Sequence, residues 1–172
     1  MSDHKTQKLV LTALFAALTA VLTTVIRVPS PMGGYVNLGD CAVLLSAWVL
    51  GPVYGGAAAG LGSMLADLLG YPLYAPGTLV VKGLMALAAG WLFAKLRIGN
   101  RSPLPALAAS GLLGEAIMVG GYFLYEAAPF PVGLGLAAAA NVPFNLIQGA
   151  MGLACAGGVY LLLNRKNRLG QL

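Results

Sequence analysis

Few side chains in this sequence have the types and spacing for chemistry, and nearly all of them are polar groups set inside apolar stretches. Asp40, Asp67 and Lys82 lie between Val36 and Gly83 in an almost wholly apolar background. Glu115, Tyr122 and Glu126 are separated by offsets of seven and eleven residues, and Asn141, Asn145 and Gln148 by offsets of four and seven, so each trio falls on one face of a helix. An ionised group at the centre of a bilayer costs about 2.5–3.5 kcal/mol on insertion scales, so such residues face a protein interior or a wet cavity. The chemistry they support is recognition. Carboxylates, amides and tyrosines together suit a small, flat, polar heterocycle, with Glu115 accepting a hydrogen bond from a ring N–H or a protonated amine.

Each of these residues also has a structural use. Asn37 followed by Asp40 can cap a helix start. Lys82 can pair with Asp67 or with Asp40, and the amides can bridge helices. Glu126 lies near enough to the surface to be solvated, and Tyr71, Tyr74, Tyr122 and Tyr125 suit either an interfacial belt or a stacking surface. Enzymatic classes find little support. His4 is the sole histidine, the glycines form no phosphate loop, and no cluster has metal-ligand spacing, so neither a metal nor a cofactor is expected. Cys41 and Cys155 read as lying at different depths, which argues against a disulfide.

The composition sets the environment. Of 172 residues, 59% are hydrophobic and 9% charged, and the mean hydropathy is +0.83, far from the quarter or so charged in an average soluble domain. An all-α integral membrane protein is expected, as a single domain over residues 1–172, with a first apolar run that lacks a cleavage site and is long enough to remain as a span. The net charge of +5 does not indicate nucleic acid, because the basic residues flank apolar runs instead of forming a stripe.

The runs divide the chain into six spans. Leu9 to Ile26 is the first, followed by an outer loop, Val28 to Tyr35, rich in proline and glycine. Leu38 to Leu50 and Val53 to Leu69 flank a Gly51-Pro52 turn and are short, so they form either two short spans or a re-entrant hairpin. Gly77 to Leu96, Leu104 to Ala127 and Leu136 to about Leu163 complete the set. Lys5, Lys8, Lys95, Arg97, Arg101, Arg165, Lys166 and Arg168 then fall on one side, which the positive-inside rule makes cytoplasmic along with both termini. In this arrangement Asp40, Asp67 and Lys82 sit toward the outer end with Tyr122, Glu126, Asn141 and Asn145, while Glu115 and Gln148 lie nearer the middle. The polar groups converge on a pocket that opens outward and extends about halfway through the bilayer.

The motifs VNLGD (Val36 to Asp40), Leu50-Gly51-Pro52, the glycine-rich run into Ala66-Asp67, APGTLVVKG (Ala75 to Gly83), GEAIMVGGYFLYE (Gly114 to Glu126) and NVPFNLIQG (Asn141 to Gly149) occur in that order. Together they resemble the substrate-binding S component of energy-coupling factor (ECF) vitamin transporters, most strongly the riboflavin-like group that also contains carriers assigned to hydroxymethylpyrimidine and pyridoxine. The resemblance implies a six-helix membrane subunit in the cell membrane. It implies a vitamin pocket near the outer face, closed by the loop after helix one, and partners comprising a membrane scaffold subunit and two cytoplasmic ATPases. An Ala-x-x-x-Ala motif that meets the scaffold in that family is matched by Ala13 and Ala17, with Ala16 and Ala20 widening the small face. Substrate contact is expected from Asn37, Asp40, Asp67, Lys82, Glu115, Tyr122, Asn141, Asn145 and Gln148. Pyridoxine or an aminopyrimidine fits the polar set. A stand-alone channel for a small polar solute is the alternative, and it requires a polar path through the inner half that the sequence does not show. An intramembrane enzyme ranks third.

Overall fold

The computed structural model describes residues 2–98 and 102–165. Arg101, Lys166 and Arg168, three of the residues that orient the topology, lie outside the described residues. The chain runs α1 (Ser2–Val25), a two-residue antiparallel ladder of β1 (Val28–Pro29) and β2 (Tyr35–Val36), α2 (Gly39–Leu50), α3 (Pro52–Gly70), α4 (Ala75–Arg97), α5 (Leu104–Ala127), a 3-10 turn (Gly135–Asn141) and α6 (Val142–Arg165). Four stretches, Lys5–Val25, Ala75–Arg97, Leu104–Ala127 and Gly135–Arg165, are long and apolar enough to cross a membrane. The last was expected to be one helix from Leu136. It is divided instead, because residues up to Asn141 coil as a tight turn over the top of the bundle and regular α-helix starts only at Val142.

α2 is the axis of the fold. Its twelve residues read GDCAVLLSAWVL, apolar on every side, which is the pattern of a helix with no free face. It packs against α1, α3, α4 and α6, and Gly39 through Trp48 are all buried. At about 1.5 Å per residue it is only some 18 Å long, and it starts deep. A Cβ on Gly152, near the middle of α6, would sit 2.6 Å from the Asp40 Cβ, so the first turn of α2 lies at the mid-height of α6. Asp40 is therefore at mid-depth and not at the outer end. The same placement brings Cys41 beside Cys155, with the two thiol sulfurs 2.7 Å apart, and corrects the expectation that they lie at different depths.

Between α2 and α3 the chain reverses at Gly51, whose φ of 81° and ψ of 179° belong to a region essentially reserved for glycine. Pro52 then opens α3, where its missing N–H costs nothing. The half of the bundle toward Gly51 is filled by Leu44, Met85 and Ala89, each fully buried, and by an aromatic trio in which the Trp48, Phe93 and Tyr160 rings lie 5.4 to 6.0 Å apart. Trp48 Nε1 donates to Ser110 Oγ at 3.0 Å, which satisfies the one polar atom of the indole.

Candidate functional site

Because α2 begins at mid-height, the chain between the outer end and Gly39 descends without helical hydrogen bonds. Irregular backbone at membrane depth survives only where protein satisfies its polar groups. Here Gln148 of α6 does so. Its Oε1 accepts from the Asn37 backbone N–H at 2.9 Å and from Asn37 Nδ2 at 3.1 Å, while its Nε2 donates to Asp40 Oδ2 at 2.7 Å. Asn37 Oδ1 accepts from the Gly39 N–H at 2.8 Å, so Asn37 tethers the helix start although Leu38 holds the cap position. Lys82 of α4 is ion-paired with Asp40 and not with Asp67, and its ammonium stands 5.4 Å from the centre of the Tyr122 ring. Both members of the pair are buried, and Asp40 occupies the first turn of α2, where the helix dipole favours an anion. These residues make the floor.

One wall is a hydrogen-bond chain that ends on Asp67 of α3. Thr78 Oγ1 donates to Asp67 Oδ2 at 2.5 Å. With that proton committed, Tyr122 is the donor in its 3.0 Å contact with Thr78 Oγ1. Tyr35, from the loop after α1, donates to the other oxygen, Asp67 Oδ1. Burial and the adjacent carboxylate both push the Tyr35 hydroxyl well above its ordinary pKa, so it remains a donor.

The loop that carries Tyr35 is the roof, and Asn141 holds it down. Asn141 Oδ1 accepts from the Met32 N–H at 3.2 Å, and its Nδ2 donates to the Gly33 carbonyl at 3.2 Å and to Glu126 Oε2 at 3.0 Å. Glu126 is thus buried under the roof and bonded, contrary to the expectation that it is solvated; the 3-10 turn folds back over the end of α5, with the Leu134 N–H bonded to the Glu126 carbonyl at 2.9 Å. Arg27 braces the rim. Its guanidinium donates to the Ala66 carbonyl at 2.7 Å and stacks 4.8 Å above the Tyr35 ring.

Floor, wall and roof surround a partly open cavity of about 30 Å³, lined by Thr23, Tyr35, Asn37, Ser63, Asp67, Tyr74, Thr78, Lys82, Tyr122, Glu126, Asn145 and Gln148 among others. That volume is about one water's worth. A ring-sized solute therefore enters only when the roof moves.

Of the nine residues singled out for substrate contact, Asn37, Asp67, Lys82, Tyr122, Asn145 and Gln148 line this cavity. Asp40 stands behind Lys82, and Asn141 holds the roof from above. Glu115 lies elsewhere. Its buried carboxylate is backed by Gly149 and Gly152 and lines a separate apolar groove of about 620 Å³ between α5 and α6, beside Leu112, Ala116, Leu146 and Leu153. Ser63 and Thr78 were not among the expected contacts, yet each precedes an identified charge by four residues, Asp67 and Lys82 respectively, and so shares its helical face. Tyr35 had no comparable signal. On α1 the small-residue stripe is split: Ala13 and Ala17 are exposed, whereas Ala16 and Ala20 are half-buried, and a Cβ on Gly62 of α3 would meet the Ala16 carbonyl at 2.3 Å.

The family model for the ECF-type riboflavin transporter S component matches residues 3–165. The chain belongs to that family. An uncharacterized protein of Pyrococcus woesei, described by its place in a gap 3' region, is 35% identical over 153 residues, covering 88% of this chain and 97% of that one. Two solved structures share the fold. One, described as the S component of a bacterial ECF transporter, superposes with a TM-score of 0.71 at 18% identity over 95% of this chain and 99% of its own. The other, an S component for biotin from an ECF-type ABC transporter, gives a TM-score of 0.69 at 17% identity over 95% and 94%. S components are transporter subunits and not enzymes, and the polar cavity of this one belongs to a membrane protein of several apolar helices.

Proposed function

We propose that this S component is the membrane-embedded, high-affinity binding subunit of an ECF-type vitamin uptake system, and that its substrate is a small heterocyclic B-vitamin or precursor, with pyridoxine or hydroxymethylpyrimidine favoured over riboflavin. The observation that carries the reading is the small polar cavity between the Asp40–Lys82 pair and the loop latched by Tyr35 and Asn141. The substrate meets Asn37, Asp67, Lys82, Tyr122, Asn145 and Gln148; Asp40 and Asn141 position the floor and roof. Beneath the floor, Leu44, Met85 and Ala89 are packed and fully buried, which suits a binder that must move bodily to release its cargo and speaks against a stand-alone channel.

In this reading the chain crosses the cell membrane with both termini in the cytoplasm, and a membrane scaffold subunit with two cytoplasmic ATPases supplies the energy. The experiment is mass spectrometry of small molecules retained when the chain is purified gently from cells. A retained B-vitamin or precursor, displaced by excess of the same compound, is the expected result. An empty protein that also fails to take up any of these compounds on addition contradicts it.

A further inference from the structure

The polar groups around the cavity differ in how much of their hydrogen-bonding capacity the protein already uses. The acceptors are largely committed. Both Asp67 oxygens accept, from Tyr35 and from Thr78, Gln148 Oε1 accepts twice from Asn37, and Glu126, also in the lining, accepts at Oε2 from Asn141. Among the donors, the hydroxyls of Tyr35, Thr78 and Tyr122 and one of the two N–H groups of Gln148 are spent within the walls. What is left over is mostly donor capacity. Asn145 Nδ2 and the Ser63 hydroxyl are buried without a hydrogen-bond partner among the described residues, and both residues line the cavity. Lys82, also in the lining, carries three N–H groups and has a single acceptor, Asp40. Buried donors are seldom left unpaired in a native protein, and one that is left so costs about 1–3 kcal/mol. The carboxylate whose oxygens are unpaired, that of Glu115, lies in the α5–α6 groove and not in this lining.

From this asymmetry we infer that the substrate is recognised through hydrogen-bond acceptors, as a ring that presents an oxyanion or a carbonyl edge to Lys82, Asn145 and Ser63, and not through a protonated or exocyclic amine. This rests on the reading of the cavity as the substrate site. Lys82 supplies charge as well as a donor. A phenolate-type oxygen beside it gains a charge-assisted hydrogen bond while Asp40 keeps the ammonium neutralised from behind. Asn145 and Ser63 are then specificity-determining residues, since an amine pointed at Asn145 Nδ2 would set donor against donor.

The test is equilibrium binding to the purified full chain of four probes: pyridoxine, the same ring without its phenolic oxygen, hydroxymethylpyrimidine and riboflavin. Pyridoxine, the acceptor-edge compound of the favoured size, should bind more tightly than hydroxymethylpyrimidine, and deleting its phenolic oxygen should weaken it at least tenfold. Asn145→Asp, which replaces the donor by an acceptor, should weaken the best acceptor-edge probe at least tenfold and by more than Asn145→Ala does. The ligand-side comparison holds even where a variant folds poorly. Tighter binding of hydroxymethylpyrimidine, or an Asn145→Asp protein that binds as well as the parent, overturns the inference and leaves the site reading standing. Failure of the parent chain to bind any of the four probes overturns the site reading, and the inference with it.

Discussion

At the scale of single residues, the Asp40–Lys82 pair has the largest energetic leverage in the molecule. Two charges buried together need each other, and removing one leaves the other unpaired at a cost of about 3–5 kcal/mol, whereas replacing both by apolar groups of similar volume is often neutral. Lys82→Met should therefore destabilise the protein by about that amount, and Asp40→Leu added to it should restore most of the loss. Thermal unfolding of the parent, single and double variants in detergent reads this out. A Lys82→Met protein as stable as the parent would mean that Gln148 alone satisfies Asp40 or that Asp40 carries no charge. The double variant should remain folded but lose ligand, because the floor of the cavity then has no cation.

The informative elements are the loop after α1 and the half-length helix it leads into. The roof is held by Tyr35 on Asp67 and by Asn141 on Met32 and Gly33, and the cavity is too small to fill without releasing them. Tyr35→Phe removes a hydrogen bond to a charged acceptor, a net contribution of about 1.5–3 kcal/mol. Stopped-flow measurement should show faster ligand dissociation from this variant, by about tenfold or more, with the fold intact. Unchanged dissociation would show that the roof is not the gate. The helices themselves were legible in the sequence: proline and glycine punctuate the apolar runs, and α5 spans the residues expected of it. The depth of α2 was not legible. Local pattern gives a helix its length and its faces, but where it sits in the bundle depends on tertiary contacts such as Gln148 with Asn37, and on that depth turned the positions of Asp40, Cys41 and Cys155. Helical periodicity likewise put Glu115 on a face shared with Tyr122 without revealing that its carboxylate packs against Gly149 and Gly152 of α6 and lines a different groove. Asn145 and Gln148 fared better, since a single face of α6 meets the roofed side of α2.

For the whole molecule, the proposed substrate site lies inside the bundle and the proposed docking face on its outside. The cavity lies between mid-height and the outer loops, while Ala13 and Ala17 are exposed on α1, flanked by exposed Leu9, Val10 and Leu14. Small residues on an open helical face let another membrane helix approach closely. Ala13→Trp combined with Ala17→Trp should leave the affinity of the isolated subunit within about twofold while abolishing scaffold association and ATP-driven uptake. Full uptake by this variant would reject the face as a docking surface; lost affinity would assign the alanines to the core. Ala16, which packs against Gly62 of α3, and the half-buried Ala20 are expected to tolerate bulk poorly in the isolated subunit as well. The orientation is tested by single-cysteine labelling at Ser2 and Gly133 in a protein with Cys41 and Cys155 replaced: only the label at Gly133 should react from outside the cell.

The central claim, that this chain alone is a substrate binder, is tested most directly by calorimetric titration of the purified subunit, without scaffold or ATPases, with the vitamin it retains from cells. The account predicts saturable binding at one site per chain, lost when Asp40 and Lys82 are both made apolar, and no flux of that vitamin through liposomes containing the chain alone. Absence of saturable binding, or flux through the isolated chain, would contradict it.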